Sequence, residues 1–336
     1  MKRLISISLR LLISGVLLAL LFREHDLIAE IAPRIRALLT NWPWSLAGIM
    51  FAFLSLFLTA ARWHIILRGL MPDLPFGVVM RAEVVSAFFN ISSVGVVGGD
   101  TYKIVTLSRR MPGQTMPVSV SIVLDHLTGL LSVAMLFLVC LLAGSARWSG
   151  LGYDLRMLLT GYGVYVGGSV VGLAIAGLSL KPSMLSWGRR TFPRTLGNPM
   201  FAGIVARMAQ VHDVFAMLWR RMLSAMLVST GMHLAFFMSF YCGLRAVGGA
   251  APVLDVLTAM PIVDMAASLP VSISGLGVRE RTFEALLSGL AAVPEAVAVS
   301  ASLAGWLFSL FWGVIGGMMF LRSNHSPATT QEAQNA

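Results

Sequence analysis

Charged side chains are scarce in this chain of 336 residues, in which 12% are charged and 57% are hydrophobic. Ordinary soluble domains contain about 25% charged residues. A soluble domain of this composition could not bury its apolar surface. Several apolar runs approach the roughly 20 residues needed to cross a hydrocarbon core of about 30 Å. The composition therefore indicates an integral membrane protein built from spanning α-helices, and not a barrel of short alternating strands.

Cysteine is almost absent as well, and the familiar catalytic motifs are missing. Cys140 and Cys242 lie in apolar segments, and neither belongs to a CxxC motif or a Cys/His cluster. This pattern argues against a zinc site and against a disulfide framework. The sequence also contains no P-loop, no HExxH motif and no Ser/His/Asp triad signature. We therefore expect no cofactor, no metal ion and no catalytic residue.

The few charges are mostly basic, which gives a formal net charge of +10. In a polytopic membrane protein, Lys and Arg mark cytoplasmic loops and contact anionic headgroups. No solvent-facing basic stripe alternates with aromatic residues, so nucleic-acid binding is not expected. Membrane lipids with anionic headgroups are the expected partners. A homo-oligomer or an enzyme of lipid biosynthesis stays open as a further partner.

Six uninterrupted apolar segments are long enough to span a bilayer: Leu4–Phe22, Leu46–Leu67, Pro117–Ala143, Leu158–Leu180, Met222–Leu244 and Pro294–Leu321. The first follows Lys2 and Arg3 but lacks a small-residue cleavage site, so we expect an uncleaved helix. Asp26–Thr40 and Gly203–Arg221 carry apolar residues at helical spacing, which predicts two amphipathic helices in the membrane interface. The polar tail, residues 323–336, is predicted to be disordered and cytoplasmic.

Two further apolar segments are interrupted: Phe76–Arg110 at Gly98-Gly99, and Val253–Leu290 between Pro270 and Gly277. Each could cross the membrane once, or enter and return. If both return, most of the 25 Lys and Arg lie on the cytoplasmic side, as the positive-inside rule requires. We therefore predict two re-entrant helical hairpins, with both chain termini in the cytoplasm of a bacterial inner (plasma) membrane protein.

The order of helix, re-entrant hairpin and helix occurs twice, in residues 44–143 and 222–321, with Leu158–Leu180 linking the two halves. The halves enter the membrane from opposite sides, so they form an inverted repeat within one membrane domain, residues 1–322. Paired interrupted segments in such repeats indicate a transporter's binding site near the bilayer midplane. The predicted fold is all-α and polytopic, with six spanning helices, two re-entrant hairpins and two interfacial amphipathic helices.

The first interruption combines glycines with two charges. Irregular backbone at membrane depth must be buried in protein or line a water-filled cavity. Asp100 is predicted to be the N-cap of a helix that covers Thr101–Arg110. Lys103 has two interpretations, because it could snorkel toward cytoplasmic headgroups or contact a lipid phosphate.

The second interruption reads SGLGVRE from Ser274 to Glu280. Gly277 is predicted to be a helix N-cap, with Glu280 as the capping acid three residues later. Arg279 lies at a helix start, where the helix dipole disfavours a cation. We therefore expect Arg279 to pair with an acid, such as Glu280, Asp264 or Asp125, or to receive an anionic headgroup.

Ionisable residues within apolar segments cost roughly 2.5–3.5 kcal/mol to insert and usually face the interior of a helix bundle. Asp125 and Asp264 fit this description better than Arg62, which could snorkel from its helix end. The candidate substrate site consists of Gly98, Gly99, Asp100, Lys103, Asp125, His126, Asp264, Pro270, Gly275, Gly277, Arg279 and Glu280, with Arg62, Arg81 and Glu83 as secondary members.

These motifs resemble the lysylphosphatidylglycerol synthase transmembrane-region family, also called the flippase-like domain family. The family has GGD followed by a basic residue, as in Gly98–Lys103, and a proline followed by GxGxRE, as in Pro270–Glu280. An acid with a basic neighbour matches Asp125-His126, and an early arginine–tryptophan pair matches Arg62-Trp63. The resemblance covers roughly residues 4–321. Where Lys103 and His126 stand, the family more often has arginine.

Family members with a C-terminal aminoacyl-transferase domain make and flip aminoacylated phosphatidylglycerol. The resemblance therefore implies the translocation half, without that domain. The leading hypothesis is a protein that binds and translocates an anionic lipid, whether a phospholipid, an aminoacylated lipid or an isoprenoid-linked lipid. Two alternatives stay open. One is an intramembrane enzyme or accessory subunit of a lipid-modifying or glycolipid pathway, with acid–base groups drawn from Asp125, His126, Asp264 and Glu280. The other is a transporter of small solutes or ions.

Overall fold

A computed structural model describes residues 25–92, 97–148, 152, 155–164, 166–168, 199–268 and 273–325. These residues are predominantly helical and contain no β-strand, so the prediction of an all-α protein is confirmed. The main helices are, in chain order, α1 (His25–Thr40), α2 (Trp42–Leu70), α3 (Phe76–Ser92), α4 (Val97–Arg110), α5 (Thr115–Trp148), α6 (Pro199–Ala246), α7 (Val253–Ser268), α8 (Val278–Ala291) and α9 (Glu295–His325). A short 3₁₀ turn, Ile273–Gly275, precedes α8.

Prolines mark the start of three of these helices. Pro75, Pro252 and Pro294 directly precede α3, α7 and α9, and each proline carbonyl accepts a backbone N–H from the first turn. Proline suits a helix start because its fixed φ is already helical and the N–H it lacks would have no intrahelical partner. These three helix starts therefore follow directly from the sequence.

Among the described residues, four helical segments are long and apolar enough to cross a membrane: Trp42–Leu70, Thr115–Gly144, Arg220–Ala246 and Glu295–Arg322. They contain nearly all of the predicted spans that begin at Leu46, Pro117, Met222 and Pro294. The predicted span Leu4–Phe22 lies outside the described residues. Within Leu158–Leu180 only residues 158–164 and 166–168 are described, and these are helical.

The predicted amphipathic helix Gly203–Arg221 is not a separate element. It continues into the spanning segment as one helix of 48 residues, α6. The sequence predicted an interfacial helix followed by a span that begins at Met222, and the structure joins the two for a local reason. Neither proline nor glycine occurs from residue 204 to residue 230, so nothing in the backbone ends the helix.

The other predicted amphipathic helix, Asp26–Thr40, forms α1 and packs against a spanning helix. Ile31 of α1 is buried together with Ala296 and Val299 near the start of α9. The apolar residues that indicated an interfacial helix therefore contact protein, at least at Ile31. The position of α1 relative to the membrane surface stays a prediction.

The chain divides into two compact units. The first comprises Met1–Ala60, Pro75–Thr115 and Gly231–Ala336, and the second comprises Ala61–Leu74 and Met116–Thr230. The predicted repeat halves, residues 44–143 and 222–321, each contribute to both units. The inverted repeat therefore stays a prediction. Both interrupted segments belong to the first unit.

Glycines on α9 allow α3 to lie directly against it in the first unit. A Cβ atom added to Gly316 would lie about 2.0 Å from the Val84 carbonyl oxygen, and one added to Gly313 would overlap the Ile91 side chain. Small residues allow this close helix approach in membrane proteins, where dispersion forces between packed helices drive association. The contact places α3 beside the helix that carries Trp306 and Ser309.

Candidate functional site

The second interruption folds into a tight turn before α8. Ser274, Gly275 and Gly277 all have positive φ angles, of 53°, 72° and 85°. A Cβ atom on Gly275 would lie 2.7 Å from the Cβ atom of Ala267 in α7. Glycine is therefore needed at this position both for its backbone conformation and for the close approach. The turn brings the start of α8 back against α7.

Helix α8 begins as the sequence predicted. Gly277 is its N-cap, and the Gly277 N–H donates to Oε2 of Glu280 at 2.6 Å. The predicted capping role of Glu280 is confirmed. An anion at a helix N-terminus is favoured by the helix dipole. In this protein the side chain of Glu280, which is completely buried, supplies that anion.

Arg279 pairs with the same carboxylate. Its Nε and Nη2 atoms donate to Oε1 of Glu280 at 3.1 and 2.8 Å, and Nη1 donates to the Ser274 carbonyl oxygen at 3.3 Å. The guanidinium carbon also lies 5.8 Å from the ring centre of Trp306, within the range of a cation–π contact. The expectation that Arg279 pairs with an acid is confirmed, and the acid is Glu280.

A cavity of about 370 Å³ lies beside Arg279, and we call it the Arg279 cavity. Its volume falls in the range of about 300–1,000 Å³ that is usual for small-molecule sites. Apolar side chains of α3, α6 and α7 form much of its wall. The polar residues that line it are Asn90, Asp264, Ser268, Ser274, Arg279, Trp306 and Ser309.

Asp264 is the acid in this lining. It is half-buried, it projects from α7, and its charge interacts with that of Arg279. Asp264 and Arg279 therefore both line the Arg279 cavity, whereas Glu280, the ion-pair partner of Arg279, is not among the described lining residues. Within the described residues, no group of three or more His, Cys, Asp and Glu side chains could hold a metal ion.

The first interruption reaches the same cavity through Asn90. The Gly99 N–H donates to the Asn90 side-chain oxygen at 3.0 Å, and a Cβ atom on Gly99 would overlap Asn90 and Ser86. Gly99 is thus held tightly against α3. One residue of the glycine pair therefore positions a side chain that lines the Arg279 cavity.

The remaining charges of the first interruption are placed differently from the predictions. Helix α4 begins at Val97, so Gly98 and the half-buried Asp100 lie in its first turn, and the prediction of Asp100 as N-cap was wrong. Lys103 does not snorkel, because its buried ammonium lies 2.8 Å from Oε2 of Glu83. A contact between Lys103 and a phosphate stays a prediction. Arg81 is exposed.

A comparison with models of protein families identifies the family of this protein. The family model described as lysylphosphatidylglycerol synthase TM region matches residues 7–317. The chain belongs to this family. It is therefore a membrane protein, and its family indicates a lipid-related function. A search of curated proteins found no significant match.

The other motifs that carry the resemblance to the lysylphosphatidylglycerol synthase transmembrane-region family lie in the second unit. Arg62 is buried there, and its Nε and Nη2 atoms bind the two carboxylate oxygens of Asp125 at 2.7 and 2.8 Å. Its Nη1 atom donates to the Ser229 hydroxyl. The expectation that Arg62 can snorkel was wrong, because a two-point contact with the Asp125 carboxylate holds the guanidinium in the protein interior. His126 is exposed.

Pro270 falls outside the described residues, so the structure does not test its predicted role. Sequence reasoning missed Asn90 and Trp306 as cavity residues and did not single out Ser274. Asn90 carried a usable signal, because an amide side chain within the apolar run FFNIS needs a hydrogen-bond partner when buried. Trp306 carried none, since aromatic residues are common in spanning helices. Its Nε1–H donates to the Ser274 hydroxyl at 3.2 Å.

Proposed function

We propose that this protein binds the polar headgroup of an anionic lipid in the Arg279 cavity and moves that headgroup between the two membrane leaflets. The observation that carries the proposal is the number of Arg279 N–H donors that the described residues leave unused. A guanidinium has five N–H donors, and the described residues use three of them. No described residue uses the two others, and paired N–H groups of arginine suit phosphate oxygens.

The setting of Arg279 supports the same function. The side chain is held by Glu280, by the Ser274 carbonyl and by Trp306, so it loses little conformational freedom when a ligand binds. Apolar side chains from α3, α6 and α7 lower the local dielectric constant, which strengthens a contact between unlike charges. Phospholipids, aminoacylated lipids and isoprenoid-linked lipids all present a phosphate to such a site.

The test measures lipid movement in vesicles of phosphatidylglycerol that contain the purified protein and a fluorescent phosphatidylglycerol analogue. Arg279→Ala is expected to slow the protein-dependent exposure of the analogue by about tenfold or more, because a hydrogen bond to a charged group contributes about 1.5–3 kcal/mol. Arg279→Lys keeps the charge but loses the planar fork, so an intermediate rate is expected.

Arg281→Ala is the matched control. Arg281 lies two residues away in α8, but its side chain is 64% exposed and pairs with Glu284 and Glu295 at the surface. Its loss should leave the rate close to wild type. Equal rates for wild type, folded Arg279→Ala and Arg279→Lys would contradict the proposal. A new lipid species in the recovered vesicles would favour the alternative of an intramembrane enzyme.

The proposal includes the membrane arrangement predicted from the loop charges: six spanning helices, two re-entrant hairpins made of α3 with α4 and α7 with α8, and cytoplasmic termini. Pro112 is exposed between α4 and α5, so a Pro112→Cys variant tests this arrangement. Cys140 and Cys242 are both buried and are first replaced by alanine. We expect an impermeant thiol reagent to label the new cysteine from the cytoplasmic side. Labelling from outside would contradict the re-entrant arrangement of α3 and α4.

A further inference from the structure

The ionised groups in and beside the Arg279 cavity would not favour the binding of an anion. The single guanidinium of Arg279 pairs with Glu280, and Asp264 lines the same cavity as Arg279, where the charges of the two side chains interact. When all three groups are ionised the cluster carries one net negative charge. A phosphate that enters would then meet repulsion from Asp264 as well as attraction from Arg279.

No other ionisable group lines the cavity to correct this balance in the described part of the chain. Helix α3 contributes Ala87, Asn90 and Ile91, α6 contributes two phenylalanines, and α9 contributes Trp306 and Ser309. Residues 93–96 and 269–272, which adjoin the two interruptions in the sequence, read SVGV and LPVS and contain no ionisable side chain. The charge of the site therefore depends on Asp264 and on the ion pair of Arg279 with Glu280.

The two carboxylates are not equivalent. Glu280 is held by the Gly277 N–H, by two nitrogen atoms of Arg279 and by the Ser302 hydroxyl, which donates at 3.3 Å. Hydrogen bonds of this kind stabilise the ionised form. Asp264 instead borders the cavity, where it can meet water and ligand. Asp264 is therefore the group whose protonation can change.

We propose that Asp264 takes up one proton when an anionic headgroup binds to Arg279, so that lipid and proton occupy the Arg279 cavity together. This inference rests on the proposed function of the same site. The proton passes from bulk water to a carboxylate oxygen of Asp264, forms one O–H bond, and returns to bulk water when the headgroup leaves. The net charge of the cluster becomes zero before the phosphate is counted, which removes the repulsion.

A proton fits this role better than a metal cation. Hard metal cations require several oxygen ligands around them. Asp264 is the carboxylate that lines the cavity among the described residues, and the nearby Ser268 hydroxyl already donates to the Met265 carbonyl. A proton needs only one carboxylate oxygen. Binding of the headgroup and of the proton must then favour each other equally, because linkage is reciprocal.

The direct test measures proton uptake. Short-chain phosphatidylglycerol is added to the purified protein in weakly buffered detergent that contains a pH-sensitive dye. Wild type is expected to take up protons in proportion to the lipid bound, and Asp264→Asn is expected to take up almost none. Short-chain phosphatidylcholine, which has no net charge, should cause much less uptake. Binding of phosphatidylglycerol by wild type without proton uptake would overturn the proposal.

The second test follows lipid movement in phosphatidylglycerol vesicles from about pH 5 to about pH 8. For one essential proton, the wild-type rate should fall by up to about tenfold per pH unit on the alkaline side. Asp264→Asn mimics the protonated acid, so it should be faster than wild type at the alkaline end and lose this dependence. Glu295→Gln removes an exposed acid of the same unit and should keep the wild-type profile. A wild-type rate that follows sodium concentration and ignores pH would contradict the proposal.

The two tests separate this inference from the proposed function. Proton uptake on lipid binding without any lipid movement would leave the inference standing and remove the translocation function. Lipid movement that depends on Arg279 but has the same pH profile in wild type and Asp264→Asn would support the translocation function and contradict the proposed proton uptake. If Asp264→Asn fails to fold, Asp264→Glu provides a second variant that keeps a titratable group. Proton uptake by wild type needs no variant.

Discussion

Replacing Asp125 with alanine is expected to lower the free energy of unfolding by about 3–5 kcal/mol, the usual cost of removing one partner of a buried ion pair. Arg62 and Asp125 are 5% and 4% exposed, and the guanidinium contacts both carboxylate oxygens. The variant leaves the charge of Arg62 in an apolar setting, where the Ser229 hydroxyl is a neutral acceptor. Gly129 also packs against this guanidinium, since a Cβ atom there would lie 2.9 Å from Nη1. The arginine therefore has little room to move toward water.

The measurement is reversible denaturant unfolding in mixed detergent micelles. Ser229→Ala removes one neutral hydrogen-bond partner of the same guanidinium and should cost about 0.5–1.5 kcal/mol. The double variant Arg62→Met, Asp125→Leu removes both charges and should recover most of the lost stability. A cost for Asp125→Ala no larger than that for Ser229→Ala would show that the ion pair contributes little to the fold.

Replacing Glu280 with alanine is expected to cost a similar amount, about 3–5 kcal/mol, because Arg279 loses its buried counter-ion. The same carboxylate also caps α8, and the loss of a cap costs about 1 kcal/mol. Asp264 limits the damage, since its carboxyl group can pair with the freed arginine. The cluster of Glu280, Arg279 and Asp264 would be reduced to one base and one acid, so the proposed proton uptake at Asp264 should also decrease.

Glu284→Ala is the control for this effect. Glu284 lies one turn further along α8, and its side chain is 12% exposed. Its partner Arg281 is 64% exposed and also pairs with Glu295, so the change leaves no buried charge unpaired and should cost about 1 kcal/mol. Glu280→Gln keeps an acceptor for the Gly277 N–H but loses the charge, and an intermediate cost is expected. If Glu280→Ala and Glu284→Ala unfold at the same denaturant concentration, the buried carboxylate is not the group that orders this turn.

The buried ion pairs of Arg62, Lys103 and Arg279 differ in whether the cation can also contact a ligand. Arg62 meets Asp125 through two bonds and Ser229 through a third, and Lys103 lies against Glu83 without lining the Arg279 cavity. Arg279 lines a cavity and has donor groups that the described residues do not use. This difference is the reason to place ligand binding at Arg279. A buried ion pair at a cavity wall can bind a ligand as well as contribute to helix packing.

Features that depend on neighbouring residues along the chain could be predicted from the sequence. Apolar length predicted the four candidate spans, and prolines marked the starts of α3, α7 and α9. The cap of α8 was predictable because Gly277 and Glu280 are three residues apart, a spacing that one helical turn brings together. The continuity of α6 also has a local cause. A change from amphipathic to apolar pattern does not end a helix in the absence of proline or glycine.

The pairing of charged side chains could not be predicted from the sequence, because it depends on how the helices pack. Arg62 and Asp125 are 63 residues apart in the chain, and several acids were equally possible partners for Arg279. Asn90, Trp306 and Asp264 reach one cavity because α3 and α9 pack closely at Gly313 and Gly316 and because the turn at Gly275 lies against α7. Sequence spacing cannot predict such pairings. A charge in an apolar segment indicates that a partner is needed, but it does not indicate where in the chain that partner lies.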